Sequence, residues 1–104
     1  MQRFFCPLAV SILAIAAHAQ DDPATLAAEA GCGACHHAED PRMGPSWQAI
    51  AERYADKEGA APELQEKMRS VSRGAWGEAP MPPVTDDQLT DEQLSSVIDW
   101  VLKR

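Results

Sequence analysis

Gly31-Cys32-Gly33-Ala34-Cys35-His36 is the stretch on which the fold turns. Two cysteines stand three positions apart and a histidine follows at once. The pair can serve as a disulfide, part of a zinc site, a thiol redox centre or an attachment point for haem, and each use makes different demands on the rest of the chain.

Working outward, the segment before it divides in two. Met1-Gln2-Arg3 is a short positive start, and Phe4 to Ala17 is apolar apart from Ser11. Ala17-His18-Ala19 then fits the small-x-small pattern of a signal peptidase site, with cleavage before Gln20. The apolar run is shorter than the roughly 20 residues that a membrane helix needs. Residues 1–19 are therefore expected to be a signal peptide, taking Cys6 and His18 with them, and the product is expected in the periplasm without stable membrane insertion. Removing 19 residues from 104 leaves Gln20 to Arg104, a single domain of 85 residues. Taking Arg3 from the nine basic residues leaves eight against sixteen acidic ones, a formal charge of −8. That balance disfavours nucleic acid and anionic membranes as partners.

An exported domain of this size buries little apolar surface and usually needs a staple. Only Cys32 and Cys35 remain as thiols, and a disulfide between them would close too small a loop to restrict the unfolded chain much. A bulkier group is expected in the core.

Helix signals dominate and strand signals are nearly absent. Asp22-Pro23 offers an N-cap and a first-turn proline, strong helix formers follow to Ala30, and Gly31 supplies a stop. Trp47, Ile50, Ala51 and Tyr54 recur at helical spacing. Pro62 is expected to start a further helix with Leu64, Met68 and Val71 on one face. Gly74 to Val84, rich in Gly and Pro, reads as irregular. Thr90 and Gln93 form a capping-box pattern, Leu89 and Leu94 a hydrophobic staple, and Leu94, Val97, Ile98, Val101 and Leu102 a buried stripe. The expectation is an all-α domain of four short helices.

These demands separate the options for the cysteine pair. A thioredoxin-like redox centre needs parallel strands, which are missing. Structural zinc takes four ligands, and Cys32, Cys35, His36 and His37 lie too close in sequence to form one tetrahedral cage. Haem attachment uses every residue of the motif. The two thiols add to the two vinyl groups, small Gly33 and Ala34 let the chain turn, and His36 is carried under the ring plane, where it can bind iron. C-x-x-C-H is the recognised sign of this chemistry, and the apolar disc supplies the missing staple.

The sixth iron position then separates carrier from catalyst. A methionine sulfur closes it and favours electron transfer, whereas an open position invites small ligands. Met68 falls on a helix face, and Met43 follows the motif too closely to pass over the ring edge. Met81, inside Ala79-Pro80-Met81-Pro82-Pro83, is far enough along, in a stiff non-helical loop. His37 is read as a solvent-facing neighbour.

The mature chain resembles the small bacterial class I c-type cytochromes, the short monohaem kind that pass electrons to nitrite reductases or terminal oxidases. The resemblance rests on Cys32-Gly33-Ala34-Cys35-His36, Gly44-Pro45, Trp76-Gly77, Pro80-Met81-Pro82-Pro83 and a last helix carrying Trp100. It implies a cytochrome c fold wrapped around one covalently bound haem c, with His36 and Met81 as axial ligands. It also implies that the carbonyl of Pro45 accepts from the ring of His36, that the Trp76 indole donates to a haem propionate, and that the first and last helices cross. Relatives often place an asparagine directly after the Met-Pro-Pro run, and here the position holds Val84. The implied function is a periplasmic electron carrier, not an enzyme. Its redox partners would be a haem nitrite reductase, a terminal oxidase, a peroxidase or an upstream quinol-oxidising complex. The rival readings are a haem protein with an open sixth position acting as sensor or enzyme, and a haem subunit of a larger respiratory complex.

Overall fold

In a computed structural model of the chain, the described residues are 10–11, 22–77 and 79–104. The proposed leader and its cleavage site lie outside them, apart from Val10 and Ser11. Four α-helices follow in order: α1 (Pro23–Glu29), α2 (Trp47–Tyr54), α3 (Ala60–Met68) and α4 (Asp91–Leu102), with a 3₁₀ turn, Cys32–Ala34, after α1. Among the described residues there is no strand, and only an isolated antiparallel bridge joins Ser72 to Met81. No helix among them is long and apolar enough to cross a membrane.

Local chemistry sets most of the boundaries. Asp22 caps α1 by accepting from the Thr25 amide at 3.1 Å, ahead of a proline whose missing N–H costs nothing in the first turn. Gly31 then takes φ +83°, the left-handed conformation that ends the helix and swings the chain into the cysteine turn. Thr90 and Gln93 form a complete capping box on α4, with Leu89 and Leu94 buried beside it as the staple.

α4 is the centre of the core. Leu94, Val97, Ile98 and Val101 are buried along one stripe, and α1, α2 and α3 all pack on that helix. Leu26 of α1 joins Val97 and Val101 in this cluster, with Ala30 and Trp100 at its edge, so the first and last helices meet as expected.

Two boundaries differ from the sequence reading. α3 begins at Ala60, ahead of Pro62, because Gly59 at φ +74° turns the chain into the helix. Pro62 occupies the third helical position, where an N–H has no intrahelical acceptor and its absence is tolerated. Val71 is not on the face of α3. The helix ends at Met68 with Arg69 as C-cap, and Val71 is 53% exposed in the segment that follows.

Candidate functional site

The cysteine turn and residues 79–82 line one cavity. Its lining includes Cys32, Cys35, His36, Pro45, Trp76 and Met81, with Leu64, Met68, Val97, Ile98 and Val101 as its apolar floor. The empty space, counted to include the open mouth, is about 1140 Å³. Every site residue singled out from the sequence thus lines one void, although up to 49 positions separate them along the chain, from Cys32 to Met81.

The His36 wall is built from consecutive residues. Amides of Cys35 and His36 both bond back to the Cys32 carbonyl, at 3.2 and 3.0 Å, which coils the motif tightly. His36 Nδ1 lies 2.6 Å from the Pro45 carbonyl oxygen. A carbonyl can only accept, so Nδ1 carries the proton and the lone pair is left on Nε2, at the other edge of the ring. Gly44 makes this approach possible. A Cβ there would stand 2.6 Å from His36 Cε1 and 2.9 Å from Nδ1. The Gly44 amide, in turn, donates to the Cys35 carbonyl at 2.8 Å.

Trp47 was read from the sequence only as part of a helical stripe. In the fold its ring stacks on His36 at 4.7 Å between centroids, and it meets Trp100 edge-on at 5.6 Å. The imidazole is therefore backed by two aromatic rings that reach α4. Nothing in the spacing of Trp47 signals this, because the stack joins a helix to a loop.

Cys32 and Cys35 are both half-buried and are not joined to each other. Burial pushes the Cys32 thiol above its ordinary pKa, with a nearby Cys35 adding in the same direction and a backbone hydrogen bond opposing. Cys35 Sγ lies 3.8 Å from Met43 Sδ, and Met43 is 71% exposed at the cavity mouth.

Trp76 stands at the rim, 44% exposed. Arg53 fixes it twice. The guanidinium lies 4.1 Å from the ring centroid and donates to the Ala75 carbonyl at 2.6 Å. Lys67 and Arg73 also line the cavity, which adds positive charge to it on an otherwise acidic chain. Met81 is half-buried and packs against the core cluster. Its backbone pairs with Ser72, donating at 2.9 Å and accepting at 3.2 Å.

Among the described residues no three of His, Cys, Asp and Glu converge in a group that could hold a metal ion. The cavity offers instead an oriented imidazole, a thioether, two thiols and apolar walls. That donor set and that shape fit a flat apolar macrocycle with a central metal, tethered at one edge through sulfur. Residues 21–104 match the Cytochrome c family.

The chain belongs to the cytochrome c family.

Among its relatives, cytochrome c2 of Rubrivivax gelatinosus is 42% identical over 81 residues, covering 78% of this chain and 95% of that protein. Cytochrome c-552 of Nitrosomonas europaea is 42% identical over 94 residues, 90% of this chain and 88% of its own length. The crystal structure of wild-type Nitrosomonas europaea cytochrome c552 superimposes with a TM-score of 0.70 at 40% identity, covering 76% of this chain and 95% of that one. These are small class I electron-transport cytochromes, and the all-α fold is theirs. The family binds one haem c covalently through Cys-x-x-Cys-His, and the present cytochrome holds that motif in Cys32, Cys35 and His36.

Proposed function

We propose that this cytochrome is an exported, periplasmic single-electron carrier in which His36 and Met81 would hold the haem iron. When bound, the haem supplies reversible one-electron chemistry, and the protein supplies the environment that tunes it. Cys32 and Cys35 tether its edge. Pro45 and Gly44 orient the imidazole so that Nε2 is the free donor, and the hydrogen bond at Nδ1 raises its basicity. The single observation that carries this reading is the convergence of a tautomer-fixed His36 and the thioether of Met81 on one apolar cavity that also holds both thiols.

The remaining assignments follow from the same arrangement. Trp76, lining a cavity that Lys67 and Arg73 also line, suits donation to the carboxylates of the haem. Residues 1–19 act as the export signal. Ala34, Pro82 and Pro83, all exposed, would offer the small apolar surface where redox partners dock transiently. Partners of the nitrite reductase, terminal oxidase, peroxidase or quinol-oxidising kind fit a carrier of this design. With His36 and Met81 both engaged in holding the haem, the protein would carry electrons and catalyse no reaction of its own.

The test is spectroscopic. The oxidised protein should show the weak band at about 695 nm that marks methionine–ferric iron ligation. Met81→Ala should abolish it and lower the midpoint potential by on the order of 0.1 V, part of the ~0.8 V range that axial ligands command. A wild-type spectrum without the band, or with rapid carbon monoxide binding to the reduced form, would favour an open sixth position instead.

A further inference from the structure

The segment that carries Met81 is held by few tertiary bonds, and one side chain makes more of them than any other residue. Arg69, the C-cap of α3, has a side chain only 21% exposed. Its Nη1 donates to the Val84 carbonyl at 3.0 Å, and its Nη2 to the Leu89 carbonyl at 3.0 Å and to Asp91 Oδ1 at 2.7 Å. Asp86 stands 3.2 Å from the same nitrogen. The preceding residue, Met68, accepts the Val84 amide at 2.7 Å. Both backbone polar groups of Val84, three residues beyond Met81, are thus taken up by consecutive residues at the end of α3.

We propose that Arg69 is the positioning residue for the sixth-ligand loop: its guanidinium locks the 84–91 segment to α3 and α4 and thereby sets how often Met81 swings away from the cavity. The inference rests on the reading of Met81 as an axial ligand. The geometry needs a planar fork of donors, since two carbonyls and a carboxylate are met from different directions by one group. An ammonium on a flexible stem cannot satisfy all three. Val84 contributes as well. Its side chain is buried, so the loop is anchored on one side by apolar packing and on the other by Arg69. The remaining direct tie of Met81 itself is the two-bond bridge to Ser72, whose neighbours Val71 and Arg73 are exposed. Releasing Arg69 frees the longer arm of the loop without touching the cysteine turn or the His36 wall.

An exogenous ligand can reach the iron only while Met81 is away, so its apparent affinity measures the open population. The experiment titrates imidazole into the ferric holoprotein and follows loss of the 695 nm band in wild type, Arg69→Leu, Arg69→Lys and Asp22→Ala. Asp22→Ala removes the cap of α1, remote from the loop, and serves as a control for general destabilisation. Arg69→Leu should bind imidazole about tenfold or more tightly than wild type, as expected when several charge-assisted bonds to the loop are lost. Arg69→Lys should fall between, and Asp22→Ala should match wild type. Wild-type affinity in both Arg69 variants, or an equal rise in Asp22→Ala, would overturn the proposal. The Lys variant keeps the charge and so decides the matter if the Leu variant does not fold. Met81→Ala separates the two readings: if the wild-type band survives that substitution, the ligand assignment fails and the positioning role fails with it. If the band is lost but neither Arg69 variant moves the titration, the positioning role alone is wrong.

Discussion

The two walls of the haem cavity are built on opposite principles. On the His36 side, every tie that fixes the imidazole, apart from the Trp47–Trp100 contact, is made within residues 32–47: the coiled cysteine turn, the Pro45 carbonyl, the tight seat at Gly44 and the stacked Trp47 ring. On the Met81 side, the thioether sits in an extended, proline-rich segment outside any helix. It is secured by residues that lie 9 to 13 positions earlier, at Ser72, Arg69 and Met68. The first wall is rigid by local stereochemistry, whereas the second is only as firm as its few tertiary bonds. A carrier gains from this division. None of the contacts that seat His36 involves the loop, so under the ligation proposed above the hold of Met81 can be altered by substitutions that leave the attachment motif alone.

The largest expected effect tests whether either wall stands without the prosthetic group. The polypeptide lacking haem should show weak helical circular dichroism and no cooperative melt, because so small a domain with an open apolar cavity against its central helix lacks sufficient core. A cooperative native-like transition in that sample would show that α4 and its neighbours suffice alone.

Next in size, Gly44→Ala strikes the rigid wall directly. A Cβ 2.6 Å from His36 Cε1 must displace the ring or the loop, at a cost of about 1–3 kcal/mol. Guanidinium unfolding of the holoprotein measures it. A change below about 0.5 kcal/mol would mean that this wall yields as readily as the other.

The smallest effect lies away from both walls, in the link between α2 and α3. Lys57 Nζ stands 2.8 Å from Glu63 Oε2, and this hydrogen bond holds the Glu63 carboxyl below its ordinary range and the Lys57 ammonium above its own. The carboxyl's contribution is present above about pH 4.3, its unfolded value, and is lost as pH falls through the lower folded value. The ammonium's contribution is present below about pH 10.4 and is lost as pH rises through the higher folded value. Between these limits Glu63→Gln should lower stability slightly at low salt and not at all near ~1 M salt, where an exposed pair is screened. An effect of equal size at both salt concentrations would show that the pair does more than tie a surface turn.

The legibility of the site follows the same divide. The caps of α1 and α4, the buried stripe of α4 and the cysteine turn were all readable, because each depends on residue types at fixed short spacing. The partnership of Pro45 with His36 came from family resemblance, and the fold places the two groups 2.6 Å apart. Three residues were missed in their roles. Trp47 looked like an ordinary apolar helix position, and no pattern in the sequence marked Arg53 or Arg69. Yet Trp47 backs the imidazole, Arg53 pins Trp76, and Arg69 ties down the Met81 segment. The misplaced start of α3 and the exposure of Val71 have a related cause. A proline signal marks the first turn but not its first residue, and a periodic pattern does not reveal where a cap stops it.

By itself the sequence determined the attachment chemistry and the helices, since a Cys-x-x-Cys-His turn, a capping box and an amphipathic stripe are properties of residues that are neighbours along the chain. Only the tertiary structure decided what stands behind the imidazole and what clasps the loop opposite. Those contacts join residues far apart in sequence, and their strength depends on distances and directions that spacing along the chain does not encode.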